Sequence, residues 1–319
     1  MTMEMTISEA AVFLRENDGY IILTHSHPDG DTIGSAAGLC LGLRAMGKQA
    51  YVARNPEVVG RFGHMVEHLE PPDDFIPKTV LSVDTADSAL FPKCFGQLSK
   101  NVVLSIDHHP NNGSYAKNLL VDTACAATGE LAALLLGALK VKLTHDIASV
   151  LYIAIITDTG CFRFENTTSR TLRIAADLID TGINAAAINT DYFETKTLSR
   201  FALESELLRD IECVGKTAVV FLTLEKISNT KAAYDDIDGI SSLVKTIPGV
   251  EVGITLREES DDSVKASVRT SPNYAANSIC SKLGGGGHAR AAGCLIKGDI
   301  SQAREKMLNA VYDLYPELK

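Results

Sequence analysis

The first half of the chain alternates short, continuously apolar runs with longer helical patterns. Apolar runs that predict buried strands occupy residues 20–24, 49–53, 79–83 and 101–106. Helical patterns cover residues 32–46, 131–139 and 171–179. Residues 148–156 are so apolar that periodicity does not separate helix from strand. Strands that are apolar on both faces and alternate with helices indicate an α/β fold with a doubly wound, mainly parallel sheet.

A chain of 319 residues favours two domains over one, and the pattern changes after about residue 185. A charged helical stretch over residues 197–213 is placed to bridge the domains. Beyond it, strands are predicted at residues 217–224, 250–256, 264–269 and 294–296, and helices at residues 273–283 and 301–315. Residues 258–262 predict an exposed hairpin connection. We therefore expect a first domain at residues 1–190, a helical linker at 191–215 and a smaller α/β domain with a mixed sheet at 216–319, with a cleft between the domains.

The charge of the chain limits its ligands. Its formal net charge is −10, which argues against a protein that grips long duplex nucleic acid, because that requires a basic face. Small anionic substrates remain compatible with this charge, since bound metal ions can invert the local field of an acidic pocket.

Cysteine usage and the N-terminus bear on the compartment. The seven cysteines form no C-x-x-C pair, which argues against a disulfide framework and a cysteine zinc site. The N-terminus has neither a basic nor an apolar segment, and no apolar run reaches about 18 residues. We therefore expect a cytoplasmic protein without a signal peptide or a membrane partner.

Histidines and aspartates follow three of the predicted strands where each strand ends, and these residues are His25, Asp29, Asp31, Asp84, Asp107, His108 and His109. Asp158 follows the apolar run 148–156 and is grouped with them as a fourth strand-end contribution. Because ligands bind outside the carboxyl ends of the strands in an open parallel sheet, we expect one site there. Each fragment alone also fits a turn or a helix cap, with Asp31 a candidate cap of the helix at residue 32.

The mixture of side chains favours a metal site over four unrelated caps. Several carboxylates with a minority of histidines and no cysteine suit manganese, magnesium or iron. Without cations, converging carboxylates repel one another and raise one another's pKa values. Two divalent ions would neutralise them and could activate a shared water for in-line attack on a phosphorus atom.

These residues resemble the successive motifs of the DHH phosphoesterase superfamily. The first-domain motifs are His25-x-x-Pro28-Asp29-x-Asp31, Asp84, Asp107-His108-His109 and Asp158-Thr159-Gly160-x-Phe162-Arg163-Phe164. Residues 284–293, which read Gly-Gly-Gly-Gly-His-Ala-Arg-Ala-Ala-Gly, resemble the signature of the DHH-associated C-terminal domain. The match spans residues 20–295, and length and layout are similar to the bacterial nano-RNase/pAp-phosphatase subfamily, which also resembles RecJ exonuclease cores.

The resemblance implies roles for the first-domain residues. One ion would be held by His25, Asp29 and Asp84, and the other by Asp31, Asp84, His108 and Asp158, with Asp84 bridging. Manganese is the implied metal, with Mg²⁺ or Co²⁺ as possible substitutes. Asp107 would orient a histidine, and His109 would face the substrate phosphate. His27 is interpreted as a neighbour and not as a ligand.

The same resemblance implies substrate-binding roles for Arg269, Asn277, Gly285, Gly286, Gly287, His288 and Arg163. Four successive glycines bring backbone N–H groups within reach of an anion, although such a run also fits a flexible linker. The guanidinium of Arg269 suits bidentate phosphate contact, although an exposed strand-end charge is the simpler alternative. Phe164 is expected in the core.

Together these inferences predict a manganese-dependent phosphoesterase that hydrolyses very short single-stranded RNA to mononucleotides and removes a phosphate from the nucleotide pAp. Three alternatives remain open. The first is a phosphodiesterase acting on cyclic dinucleotides or linear pApA, the second is an inorganic pyrophosphatase, and the third is a non-catalytic nucleotide-binding module. The resemblance also suggests a homodimer.

Overall fold

The computed structural model describes residues 2–58, 60–113, 115–237, 239–259 and 262–319. The chain divides into two units, Met1–Thr195 and Lys196–Lys319. All seven cysteines are free thiols. Among the helices of the described residues, none is long and apolar enough to cross a bilayer.

Six strands form the sheet of the first unit: β1 Met3–Glu4, β2 Tyr20–Leu23, β3 Ala50–Val52, β4 Thr79–Val83, β5 Leu104–Asp107 and β6 Asn118–Val121. Their order is β1-β6-β5-β4-β2-β3, and every pair is parallel. The predicted parallel sheet is therefore confirmed. Strands β1 and β6 were not predicted, and β1 has only two residues.

The helices of the first unit are α1 Ile7–Glu16, α2 Gly30–Ala45, α3 Thr128–Ala138, α4 His145–Asp158, α5 Ser169–Ile179 and α6 Ala185–Asn189. The apolar run 148–156 is helical, so the expectation that Asp158 follows a strand is wrong. Helix α4 is buried around most of its circumference, and this removes the periodicity that would identify a helix. One face of the sheet packs under these helices, and the other packs against loops that carry Phe91 and Phe95.

Glycines on one face of α2 allow α4 to pack at backbone distance. A Cβ atom at Gly34 would lie 2.4 Å from the carbonyl oxygen of Val150 and 2.9 Å from the Cβ of Ala154. A Cβ atom at Gly30 would lie 2.5 Å from Thr157 near the other end of α4. The two helices therefore run antiparallel, and the N-terminus of α2 lies beside the C-terminus of α4.

We expect Gly34→Ala to destabilise the protein by about 1–3 kcal/mol, the usual range for an overpacked core. The added methyl group has no space, and this outweighs the gain of about 1 kcal/mol in helix propensity. Gly137→Ala is the matched control, because a Cβ there meets nothing within 4 Å, and it should leave stability unchanged or raise it. Urea unfolding of both variants measures the difference, and equal stability of the two would contradict the close packing.

Six strands also form the sheet of the second unit: β7 Glu212–Val214, β8 Thr217–Leu222, β9 Val252–Glu258, β10 Ser263–Thr270, β11 Gly286–Gly287 and β12 Ala291–Lys297. The order is β11-β12-β10-β9-β8-β7, with β8 and β9 parallel and the other pairs antiparallel. The predicted mixed sheet is confirmed. Strands β9 and β10 form the predicted hairpin, and Ser260 and Asp261 of its connection lie outside the described residues.

The helices of the second unit are α7 Leu198–Arg209, α8 Leu224–Thr230, α9 Tyr234–Ile237, α10 Ala276–Ser281 and α11 Ile300–Leu314. Helix α7, which the sequence suggested as a bridge, belongs to this unit, since Leu203 and Leu207 pack with β8 in its core. The larger core lies on the other sheet face, under α10 and α11. Helices α8 and α9 are short and were not predicted.

Candidate metal centre

Three neighbouring strands of the first sheet deliver histidines and aspartates to one edge. Strands β5, β4 and β2 lie side by side. Their carboxyl ends are followed by His25 after β2, Asp84 after β4, and His108 and His109 after Asp107, the last residue of β5. The chain winds outward in opposite directions from β2 and β4, and open α/β sheets bind ligands at such switch points.

The N-terminus of α2 adds two carboxylates with different surroundings. Asp29 caps the helix, because its Oδ1 accepts from the backbone N–H groups of Asp31 and Thr32 at 3.0 and 3.1 Å. The cap considered for Asp31 is therefore made by Asp29. Asp31 is buried and accepts from the N–H groups of Thr128 and Gly129 at 2.7 and 2.8 Å.

Asp158 reaches the same place from the C-terminus of α4. Its Oδ2 lies 3.5 Å from Nε2 of His108. The antiparallel contact between α2 and α4 brings it there, and the sheet does not. The structure thus brings Asp158 close to the residues with which it was grouped, but on a helix and not at the end of a strand.

The first group of potential metal ligands is His25, Asp29 and Asp84, whose ligand atoms lie within 4.8 Å of one another. Nε2 of His25 is 3.7 Å from Oδ2 of Asp84 and 4.0 Å from Oδ1 of Asp29. Nδ1 of the same ring lies 2.7 Å from the carbonyl oxygen of Ser26. A ring that donates from Nδ1 to a carbonyl directs the lone pair of Nε2 at a metal.

The second group is Asp31, His108 and Asp158, again with ligand atoms within 4.8 Å. Nε2 of His108 lies 3.6 Å from Oδ1 of Asp84 and 3.8 Å from Oδ2 of Asp31. Nδ1 of His108 faces the carbonyl oxygen of Cys125 at 3.3 Å, as the Nδ1 of a metal-binding histidine does. The donors of both groups are carboxylate and imidazole, which fit two divalent ions.

Asp84 lies between the two groups. Its Oδ2 faces His25 and its Oδ1 faces His108. Its backbone adopts the left-handed region, with φ of 52°, a conformation that is strained for a non-glycine residue and occurs at functional sites. A hydrogen bond from Oγ1 of Thr128 to Oδ1 at 2.9 Å fixes the carboxylate.

Asp107 and His109 form a hydrogen-bonded pair beside the second group. Oδ1 of the fully buried Asp107 lies 2.8 Å from Nδ1 of His109. Asn112 donates to the other oxygen of Asp107 at 2.7 Å. The contact with Asp107 therefore fixes the orientation of the His109 ring. His109 also forms a group of potential ligands with Asp84 and His108.

Thr128 and Asn112 also contact the site residues, and neither was predicted from the sequence. Thr128 begins α3, so its only sequence signal was that of a helix start, and Asn112 lies in an Asn-Asn-Gly segment that indicates a turn. His27, in contrast, lies as expected outside both groups, and its backbone N–H donates to Glu57 at 2.8 Å.

Burial and mutual repulsion shape the protonation of the carboxylates. Burial, followed by the charge of Asp84, raises the pKa of Asp31 and of Asp158 well above the usual range. Desolvation and the charge of Asp84 also raise the pKa of Asp29, although its side chain is 59% exposed. Burial opposes ionisation of Asp84 as well, but hydrogen bonding with His25 and the nearby histidines lower its pKa. The centre therefore attracts positive charge.

The histidines show the same attraction. Burial lowers the pKa of His25, but its hydrogen bond with Asp84 and the charge of Asp29 outweigh burial and raise it to about 9. Burial also opposes protonation of His109, and its hydrogen bond with Asp107 raises the pKa to about 9.

We expect the metal-free protein to lose stability as the pH rises from 6.5 to above 9. Histidines whose pKa is raised by folding stabilise the native state fully below their unfolded pKa of about 6.5. This contribution disappears as the pH passes through the folded values of about 9 for His25 and His109. Urea unfolding of metal-stripped protein at pH 6.5 and 9.5 measures it. The double variant His25→Gln, His109→Gln should show a smaller difference, and an equal one would contradict the assignment.

The predicted glycine run of the second unit forms an edge strand. Gly286 and Gly287 make up β11 and pair with β12. A Cβ atom at Gly285 would lie 2.2 Å from the carbonyl oxygen of Gly293. The flexible-linker alternative is therefore wrong, because the run is paired and closely packed. His288 follows it and is exposed.

Arg269 lies near this strand. It pairs with Ala291 of β12, and the next residue of β12, Ala292, pairs with Gly287. Arg269 is half-buried, and its guanidinium donates to the carbonyl of Val268 at 3.1 Å. Asn277 lies in the first turn of α10 and is half-buried.

Arg163 and Phe164 follow α4 in a strained turn of the first unit. Gly160, Cys161 and Phe162 all have left-handed φ values, of 55°, 57° and 63°. Nε of Arg163 donates to the carbonyl of Gly160 at 2.5 Å. Phe164 is 54% exposed, so the expectation that it lies in the core is wrong. The ring packs against the bare Cα of Gly160, where a Cβ would lie 2.4 Å away.

Comparison with known proteins agrees with the fold and the motifs. The model of the DHH family N-terminal domain matches residues 20–155, and that of the DHHA1 domain matches residues 216–315. A bifunctional oligoribonuclease and PAP phosphatase from Thermus thermophilus is 36% identical over 91% of this chain and 88% of its own length. A protein of the same description from Bacillus subtilis is 30% identical over 88% of this chain and 90% of its own length.

A solved structure shares the fold over nearly the whole chain. The exopolyphosphatase-related protein from Bacteroides fragilis superimposes with a TM-score of 0.86 at 21% identity, over 98% of this chain and 97% of that one. The two family models follow one another in the order that the sequence motifs predict. The chain belongs to the DHH family and is a metal-dependent phosphoesterase with a C-terminal DHHA1 domain.

Proposed function

We propose that this chain binds two Mn²⁺ ions and hydrolyses very short RNA to mononucleotides and pAp to AMP. One observation carries the proposal: the two carboxylate oxygens of Asp84 face two different histidines in two adjacent groups of ligands. A carboxylate in that position can bridge two ions, and two-metal sites are typical of enzymes that cleave phosphoesters.

The residues of the chain then have distinct roles. His25, Asp29 and Asp84 would hold one ion, and Asp31, Asp84, His108 and Asp158 the other. When bound, the ions would supply an activated water and neutralise charge on the phosphoryl group. Asp107 holds His109 through Nδ1, so that Nε2 can give a proton to the leaving oxygen.

The second unit would bind the rest of the substrate. Arg269, Asn277 and His288 offer donors to phosphates and bases, and the exposed Gly286–Gly287 strand offers backbone close to an anion. Arg163, also exposed, would contribute a cation from the first unit. We therefore assign metal chemistry to the first unit and substrate binding mainly to the second.

The substrate class rests on the relatives and on charge. The Thermus and Bacillus relatives are named as oligoribonucleases and PAP phosphatases. A net charge of −10 suits short oligonucleotides better than long ones. The free thiols of all seven cysteines fit activity in the reducing cytoplasm.

The test is product release by metal-stripped protein with and without Mn²⁺. A short single-stranded RNA, pAp, linear pApA, a cyclic dinucleotide and pyrophosphate would be supplied in parallel. We expect Mn²⁺-dependent mononucleotides from the RNA and AMP from pAp. Turnover confined to pApA, the cyclic dinucleotide or pyrophosphate would replace the proposed substrate. Nucleotide binding without any turnover would replace the proposed activity.

We expect Arg269→Ala to raise KM for pAp and short RNA by about 10–100-fold, with a smaller change in kcat. The magnitude follows because a charge-assisted hydrogen bond to a phosphate contributes about 1.5–3 kcal/mol. The change in kcat should be smaller because Arg269 belongs to the second unit, to which we assign substrate binding and not metal chemistry. Lys282→Ala, which removes a cation of the same unit that pairs with Asp313 at 2.9 Å, is the control with unchanged KM. Steady-state kinetics compare the variants. A loss confined to kcat would contradict the binding role.

A further inference from the structure

A short segment of the first unit touches three of the proposed ligands without being a ligand itself. This segment, residues 125–130, leads into α3. The carbonyl oxygen of Cys125 accepts from Nδ1 of His108 at 3.3 Å. The backbone N–H of Thr128 donates to Asp31 at 2.7 Å, and its hydroxyl donates to Asp84 at 2.9 Å. The position of this segment therefore influences where the side chains of His108, Asp31 and Asp84 point.

The buried carboxylate of Glu130 anchors the segment. Glu130 is fully buried, yet it is not among the potential metal ligands. Its Oε2 accepts from the backbone N–H of Ala126 at 3.0 Å and from the hydroxyl of Thr171 at 2.8 Å. Its Oε1 accepts from Nε of Arg170 at 2.6 Å. A buried carboxylate that is so fully bonded holds its partners in one arrangement.

Arg170 binds the same part of the chain at two further points. One guanidinium nitrogen donates to the sulfur of Cys125 at 3.1 Å, and another lies 3.3 Å from Oδ2 of Asp122. Glu130 and Arg170 thus join both ends of the segment to the first turn of α5. The peptide between Cys125 and Ala126, whose carbonyl faces His108, lies between these contacts.

We propose that Glu130 is a positioning residue for the second metal ion, acting through the Cys125 carbonyl on His108 and through the start of α3 on Asp31. The inference rests on the proposed function, because it requires that an ion binds there. Residues that orient metal ligands typically change metal affinity by about 10–100-fold when they are replaced. The first ion, held by His25, Asp29 and Asp84, shares only Asp84 with these contacts, so its affinity should change less.

A purely structural role for Glu130 would lower stability without changing metal affinity, so a control for stability is needed. Glu204 of the second unit supplies it. It is also buried, and it accepts from Nε of Arg200 at 2.7 Å and from Nζ of Lys196 at 2.9 Å. Both partners belong to the second unit, whereas the proposed metal ligands all lie in the first.

The experiment compares Glu130→Gln with Glu204→Gln in the full chain. Metal-stripped protein is titrated with Mn²⁺ by calorimetry, bound Mn²⁺ is followed by electron paramagnetic resonance, and Tm is measured in parallel. We expect Glu130→Gln to weaken one of two Mn²⁺ sites by about 10–100-fold and to reduce the spin-coupled signal of the ion pair. Glu204→Gln should lower Tm with both affinities unchanged.

Arg170→Met provides a second variant if Glu130→Gln does not fold, since the Arg170 side chain is 38% exposed and tolerates replacement better. It should weaken the same site in the same direction. Two wild-type affinities in a folded Glu130→Gln or Arg170→Met protein would overturn the inference. Failure of the wild-type chain to bind two Mn²⁺ ions would instead overturn the proposed function on which the inference rests.

Discussion

Asp84→Asn should reduce phosphoester hydrolysis by more than about 100-fold. Replacing a residue that only orients a metal ligand lowers activity by up to about 100-fold, and Asp84 is itself a proposed ligand. This carboxylate faces a histidine of each group of potential ligands, and in the variant an amide nitrogen replaces one of its two oxygens. Asparagine tolerates the left-handed backbone of this position, with φ of 52°. The loss should therefore come from the site and not from the fold.

Asp87→Asn is the control for this variant. The carboxylate of Asp87 is exposed and caps the short turn Ser88–Leu90, where asparagine caps equally well. It should retain wild-type turnover. Both variants would be assayed with saturating Mn²⁺, and circular dichroism would confirm that they fold. Normal turnover by Asp84→Asn would rule out the two-ion account.

Removal of metal should abolish turnover and also lower stability. Desolvation and the nearby charge of Asp84 raise the pKa values of Asp29, Asp31 and Asp158. Divalent ions relieve this repulsion. Each ion that binds only the native state stabilises it by about 2.7 kcal/mol when its concentration is 100 times Kd. For a unit of this size, that corresponds to a rise in Tm of roughly 5–10 °C.

The measurement is thermal unfolding of chelator-treated protein with increasing Mn²⁺, at pH 7.5 and at pH 5.5. The shift should be smaller at pH 5.5, because protons compete with the ion for carboxylates and imidazoles. Asp84→Asn serves as the control and should show little shift at either pH. An unchanged Tm of the wild-type chain across the titration would contradict the metal centre.

The sequence predicted the parts of the site that depend on strands. Strands β2, β4 and β5 are buried throughout and rich in apolar residues, so their ends could be located to within a few residues. His25, Asp84 and His108 follow those ends, and parallel strands place them together without any knowledge of packing.

The remaining parts depend on packing that the sequence does not reveal. Asp158 is carried by α4, which is buried on most sides and shows no helical period. Phe164 is an aromatic residue of the kind that usually lies in a core, but it follows a left-handed turn and its side chain is exposed. Thr128 contributes through a helix start far along the chain, and its contacts to Asp31 and Asp84 span 97 and 44 residues. Local patterns carry no information at that separation.

The glycine-lined contact between α2 and α4 also has a consequence for the order of folding. Pairing of β2, β4 and β5 brings His25, Asp84 and His108 together, but Asp158 arrives only when α4 docks closely beside Gly34. A partly folded chain with α4 undocked therefore lacks a ligand of the second group. Manganese should then act after the helix has docked, so that it slows unfolding of the first unit and leaves its folding rate unchanged.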